Sequence, residues 1–106
     1  MATTYRAKVA PGAKLLDEVH GRNWVREIRL GDIEMGSCDR CIVGQLYGHY
    51  ATGCEKLGIA DLRDSYDLGF DVPEAVDDEE AERRYELLAQ RWRELIRKRR
   101  YGGEDG

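Results

Sequence analysis

The sequence has no apolar run approaching the roughly 20 residues that a bilayer span requires, and its opening, MATTYRAKVAPG, lacks the apolar core of a secretory leader. Both absences lead us to expect a cytoplasmic protein with no membrane partner. The motifs of common catalytic chemistry are missing too: no glycine-rich loop behind a strand to cradle phosphate, no Gly-x-Ser-x-Gly and no His-Glu-x-x-His. Histidine is limited to His20 and His49, and cysteine to Cys38, Cys41 and Cys54. An odd cysteine count without an export signal argues against a disulfide framework and leaves reduced thiols or a metal. Cys41 or Cys54 with His20 is the one nucleophilic pairing left open. We therefore read the chain as non-enzymatic.

Charge is what the sequence has in quantity. Of 106 residues 36% are charged and 42% hydrophobic, which is enough apolar material for one modest core in a single domain. The net charge of -4 is unevenly laid out. From Asp61 to Glu82 there are ten acids and the single base Arg63; from Arg91 to Arg100 there are six bases and the single acid Glu94. Between and across these blocks Ala81, Tyr85, Leu88, Ala89, Trp92, Leu95 and Ile96 recur every three or four residues, predicting an amphipathic helix over 78–100. Asp77 and Glu80 fit a capping box. Acids in the first turns and bases in the last complement the helix macrodipole, and Glu79–Arg83, Glu80–Arg84 and Glu94–Lys98 are i, i+4 pairs. The charge asymmetry thus has a structural explanation. Beside it stand two binding candidates: a basic end, Arg97, Lys98, Arg99 and Arg100, for phosphate, and an acidic loop bearing Asp67 and Asp71 for a basic partner.

Toward the front, Pro11 followed by GAKLLDEVHG predicts a short helix closed by Gly21, with His20 a surface residue favoured by the helix dipole. Trp24, Val25 and Ile28 share a helical face, Trp24 being a core anchor. Ile33 and Met35 alternate inward in a connector. A short helix capped by Gly58 follows Gly53. In 65–76, Tyr66, Leu68, Phe70 and Val72 alternate with polar residues and glycine among turn formers, which we read as an extended loop over the core.

The stretch SCDRCIVGQLYGHYATGC, residues 37–54, carries all three cysteines and His49. Ser37 is a good N-cap, and 38–50 projects as a helix apolar nearly all round, hence a buried central helix. Gly44 and Gly48 then mark a close crossing by another helix, since each costs about 1 kcal/mol relative to alanine. The spacing Cys-x2-Cys-x7-His-x4-Cys resembles the zinc knuckle, whose last part also runs Gly-His-x4-Cys, but with three extra residues between Cys41 and His49. In a continuous helix His49 would lie about 12 Å along the axis from Cys41 and about 16 Å from Cys38, whereas zinc holds its thiolates at about 2.3 Å. Buried free cysteines are the expectation, and no cofactor with them. The alternatives are a zinc site of Cys38, Cys41, His49 and Cys54, and a redox-active Cys-x-x-Cys at a helix N-terminus.

GAKLLDE, the tryptophan of RNWVREI, CDRCIVGQLYG followed by a glycine-bearing short helix, and a last helix with a tryptophan before basic residues form a combination covering most of the chain. It resembles small uncharacterised proteins of actinobacteria and their phages. The resemblance implies a bacterial cytosol, including that of an infected cell, where short proteins act by binding host or viral macromolecules. It carries no catalytic signature.

The sequence therefore predicts an all-α domain of four or five helices around a buried central helix, with a long C-terminal helix. Residues 1–10 form a flexible arm, 11–100 the domain and 101–106 a disordered tail. The expected function is non-enzymatic binding of a macromolecule, most simply a protein; the alternative is a zinc-stabilised nucleic-acid-binding module using the cysteine–histidine cluster and the basic helix end.

Overall fold

A computed structural model describes residues 5–102. Among them the chain is all-α: α1 (Tyr5–Val19), α2 (Trp24–Glu27), a 3-10 turn (Leu30–Asp32), α3 (Ile42–Tyr47), α4 (Tyr50–Leu57), α5 (Leu62–Asp67) and α6 (Asp78–Arg97), the last running into a π-helical turn (Lys98–Gly102). The Cα radius of gyration, 12.9 Å, is that of one packed domain of this length, about 13 Å.

Helix α1 begins six residues before the expected start, so residues 5–10 are helix rather than a flexible arm. Pro11 lies inside it, where its ring and missing amide cost about 3 kcal/mol. The helix persists because Tyr5, Val9, Ala13 and Leu16 form one buried stripe that continues through the proline. Ala7 and Pro11 are both exposed, which leaves the carbonyl that Pro11 cannot serve at the surface. The expected end is present: His20 N and Gly21 N both donate to Leu16 O. Residues 1–4 of the expected arm and 103–106 of the expected tail lie outside the described residues; Tyr101 and Gly102 belong to the π turn.

No single helix spans 38–50. Ser37 closes a turn instead, its Oγ accepting from Arg40 N at 3.2 Å, and α3 starts at Ile42 with the Cys41 thiol as its cap. Gly48 at φ 90° ends α3, and His49 caps α4 through Nδ1, which accepts from Ala51 N. The reason is tertiary. Tyr50 N donates to Cys38 O at 2.8 Å, folding the 38–39 turn back against α3, where a Cβ on Gly44 would lie 2.3 Å from the Cys38 carbonyl oxygen. The close helix crossing falls at Gly53, whose absent Cβ leaves room for Val43.

The core is centred on aromatic rings from distant parts of the chain. Trp92 of α6 stacks on Phe70 (centroids 5.6 Å, planes 4° apart) and meets Trp24 edge-on at 5.9 Å. Its Nε1 donates to Gly69 O at 2.6 Å and Trp24 Nε1 to Asp17 Oδ1 at 2.8 Å, so both buried indoles are satisfied. Helix α5 takes in residues 65–67, the first part of the segment read as extended, and is capped by Asp61, whose Oδ1 accepts from Asp64 N. Beyond it the chain runs without regular structure, and Phe70 and Val72 are buried as the alternation predicts. Ile33 and Met35 turn inward, and Gly58 closes α4. Helix α6 has its expected cap, Asp77 Oδ1 accepting from Glu80 N at 2.8 Å, while the Glu80 carboxylate pairs with Arg83 and Arg84 rather than reaching back.

Candidate functional site

The four ligands of the zinc reading have separate local roles. Cys38 is exposed on the 37–40 turn, Cys41 is buried as the cap of α3, His49 caps α4, and the half-buried Cys54 faces Ser65 Oγ at 4.0 Å. Among the described residues no group of three or more His, Cys, Asp or Glu side chains is close enough to hold a metal ion. The helix does break where the metal reading requires, at Gly48, yet the break serves the cap of α4. Burial pushes the Cys41 thiol from 9.0 up to about 11, outweighing the opposing hydrogen bond from Gly44 N. Cys41 is thereby kept a protonated thiol, and Cys38, the exposed cysteine of the Cys-x-x-Cys, lies on the 37–40 turn rather than in the first turn of a helix as the redox reading expects. His20 turns its Nε2 to Glu27 at 3.1 Å and sets its ring edge-on to Tyr47. A maleimide at about pH 7.5 is therefore expected to label native Cys38 rapidly and Cys41 only after unfolding. Mass spectrometry of time points checks this. Protection of Cys38 lifted by a chelator would instead restore the zinc reading.

The basic end divides into two exposed and two engaged side chains. Arg97 and Lys98 are exposed. Arg99 Nη1 donates to Asp17 Oδ1 at 2.9 Å, the oxygen that also receives the Trp24 indole. Arg100 donates to the carbonyls of Val25, at 2.8 Å, and Ile28. Arg93, one turn before the end of α6, likewise donates to Leu30 O and Ile33 O, both at 3.2 Å. The Arg93 and Arg100 guanidiniums fasten the α2 and 3-10 region to α6 by donating to its backbone carbonyls, while Arg99 ties the end of the same helix to α1 through Asp17. The π turn belongs to this arrangement, since two of the three guanidiniums, those of Arg99 and Arg100, are its own.

Of the two acids expected in the docking loop, Asp67 is exposed and pairs with Lys8 at 3.5 Å, at the edge of a shallow apolar groove lined by Leu15, Leu57, Ile59 and Leu68. Asp71 is committed inward: its Oδ1 accepts from Tyr85 OH at 3.0 Å and from Val72 N at 2.9 Å. Burial, followed by the Asp71 charge, pushes the Tyr85 hydroxyl up to about 12. Arg84 secures the same loop from the other side, donating to Pro73 O and Glu74 O.

The larger concavity lies elsewhere, between residues 33–37 and the first half of α6, and encloses about 830 Å³. Ile33, Met35, Tyr85 and Ala89 supply its apolar lining. Around them stand five exposed carboxylates, Glu34 on one wall and Asp78, Glu79, Glu82 and Glu86 on the other, against the single guanidinium of Arg83. Glu34 pairs with Arg40 and Glu86 with Arg93. Asp78, Glu79 and Glu82 find no cation among the described residues. Sequence reasoning counted the α6 acids as complements to the dipole and did not single out Glu34, Glu82 or Glu86. The available signal was the i, i+4 series Asp78, Glu82, Glu86, which puts three carboxylates on one helix face; the opposite wall, 41 residues and more away in the chain, has no local signature.

Compared with known protein families, curated proteins and solved structures, the chain matches none.

Proposed function

We propose that this protein is a non-enzymatic interaction module whose partner is another protein, engaged through the acidic side of the molecule. One observation carries the reading: the two ends of α6 differ in what their charges are committed to. At the C-terminal end Arg99 and Arg100 are spent on Asp17 and on backbone carbonyls, which leaves Arg97 and Lys98 as the exposed cations of that cluster. At the N-terminal end the carboxylates are exposed and border a cleft with an apolar lining. Two cations beside a surface of net negative charge make a poor phosphate-binding patch, because nucleic-acid affinity rises with the number of phosphates neutralised. Apolar surface bordered by an excess of one charge is what a complementary protein surface desolvates and pairs with.

Capture from bacterial lysate on the immobilised protein, with and without nuclease, tests this. A protein partner retained after nuclease and released by salt is the expected result, because pairs between exposed charges are screened beyond about 8 Å at physiological ionic strength. Binding to bare DNA or RNA that is lost when Arg97 and Lys98 are both changed to Gln would overturn it.

A further inference from the structure

We infer that the cleft between residues 33–37 and α6 receives a basic amphipathic helix of two to three turns, supplied by the protein partner. The inference rests on the protein-binding reading above and adds the site and the shape of what fills it.

Charge complementarity sets the sign. Five carboxylates against one guanidinium border the cleft, and Asp78, Glu79 and Glu82 lack a cation among the described residues. Lysine or arginine side chains of an occupant supply it. The lining sets the second requirement: Ile33 and Met35 form a floor that the core already buries, and the half-buried Ala81 and Tyr85 carry the apolar surface left for an occupant to cover, so it needs a greasy face between its charges. Backbone hydrogen bonding selects the conformation. An extended peptide docks by adding a strand to a free edge, and there is no strand among the described residues. One wall is α6, whose backbone bonds to itself. On the other wall Ile33 N donates to Leu30 O, Glu34 N to Arg40 O and Ser37 N to Glu34 O, while Ile33 O accepts from Arg93. Only Met35 and Gly36 on that wall have neither backbone group paired, too short an edge to carry a strand, whereas a helix brings its backbone already satisfied. Asp78, Glu82 and Glu86 are spaced by four residues, so this wall spans about 12 Å. A helix of matching length places basic residues at i and i+4 against them.

The probe is a fluorescently labelled amphipathic peptide of about 14 residues, about four turns, with leucines at i, i+3 and i+4 spacing and lysines elsewhere, beside the same peptide with every lysine changed to glutamine. Fluorescence anisotropy against the whole chain is expected to show saturable binding of the lysine peptide and about ten-fold weaker binding of the glutamine peptide. Glu34→Lys with Glu82→Lys, one change on each wall, is expected to weaken the lysine peptide about ten-fold, and Glu34→Gln with Glu82→Gln by less. Glu18→Lys with Glu55→Lys, exposed acids outside the cleft, is expected to change it by less than about two-fold. Retention of the helical far-ultraviolet signal shows that each variant is folded. No binding by the wild type, equal affinity for the two peptides, or equal loss in the Glu18/Glu55 control would overturn the inference. In the lysate capture, a protein retained equally by the wild type and the Glu34/Glu82 variant overturns the cleft assignment and leaves the protein-binding reading standing. Nuclease-sensitive capture alone overturns both.

Discussion

Changing Trp92 to alanine is expected to abolish the cooperative melt or to lower its midpoint by at least about 12 °C. The side chain is fully buried between Trp24 and Phe70, and its indole N–H holds the Gly69 carbonyl. Truncating a buried tryptophan costs about 3–5 kcal/mol through lost transfer energy and the cavity left behind. A domain of this size has about 5–15 kcal/mol in all, and each kcal/mol moves the midpoint by about 4–8 °C. The aromatic stack joins three segments that are remote in sequence, so no single helix can compensate. Trp92→Phe keeps much of the stacking surface and loses the indole donor, leaving the buried Gly69 carbonyl short of a partner at about 1–3 kcal/mol. Thermal circular dichroism of the two variants is expected to rank wild type above Trp92→Phe above Trp92→Ala. A Trp92→Ala melt within a few degrees of wild type would sink the account of the core.

The second large effect is expected at Gly12, where local and tertiary reasoning predict opposite signs. Within a helix, alanine is better than glycine by about 1 kcal/mol, so Gly12→Ala judged from α1 alone is stabilising. In the folded chain a Cβ at that position would sit 2.0 Å from the Leu68 carbonyl oxygen and 3.2 Å from Cη2 of Trp92. Both neighbours are constrained. Leu68 belongs to the backbone leading into the buried Phe70, and Trp92 is locked in the aromatic stack. Overpacking of this kind costs about 1–3 kcal/mol and, against an unyielding backbone, the upper part of that range or beyond. Net destabilisation of about 2 kcal/mol is therefore expected in urea denaturation, with an unchanged denaturant slope. Gly31→Ala is the matched control. Nothing lies within 4 Å of its added Cβ, so it is expected to be neutral or to gain up to about 1 kcal/mol. Equal stability of the two variants would mean that α1 does not approach the α5–α6 connection as closely as described.

The functional reading follows the same division between local and tertiary information. From the sequence Arg97 to Arg100 form one basic cluster, because four cations in a row differ only in position. Their distinction arises from what lies opposite. Asp17, Val25 and Ile28 come from 72 to 82 residues earlier and engage Arg99 and Arg100, leaving Arg97 and Lys98 exposed. Asp67 and Asp71, equivalent in sequence, separate in the same way: Tyr85 draws Asp71 inward while Asp67 remains at the surface.

By itself the sequence determined the class of the fold and those elements whose signals lie within about a turn of the residues they act on. Asp77 capping α6, the stripe through Leu88, Trp92 and Ile96, Gly21 and Gly58 closing their helices and the inward alternation of Ile33 and Met35 are all of this kind. Only the tertiary structure decided where helix continues against local preference and where it stops in its favour. Tyr5 and Val9 carry α1 through Pro11 because the rest of the molecule buries their stripe, and the apolar run 38–50 is divided at Gly48 because Cys38 folds back to receive Tyr50 N. The 33–37 wall meets the α6 wall only in the fold, so the acidic cleft exists in neither segment alone. The reason is one of range. Capping and periodicity act between residues about four apart, whereas burial, close backbone approach and the pairing of charges depend on neighbours that chain separation does not specify.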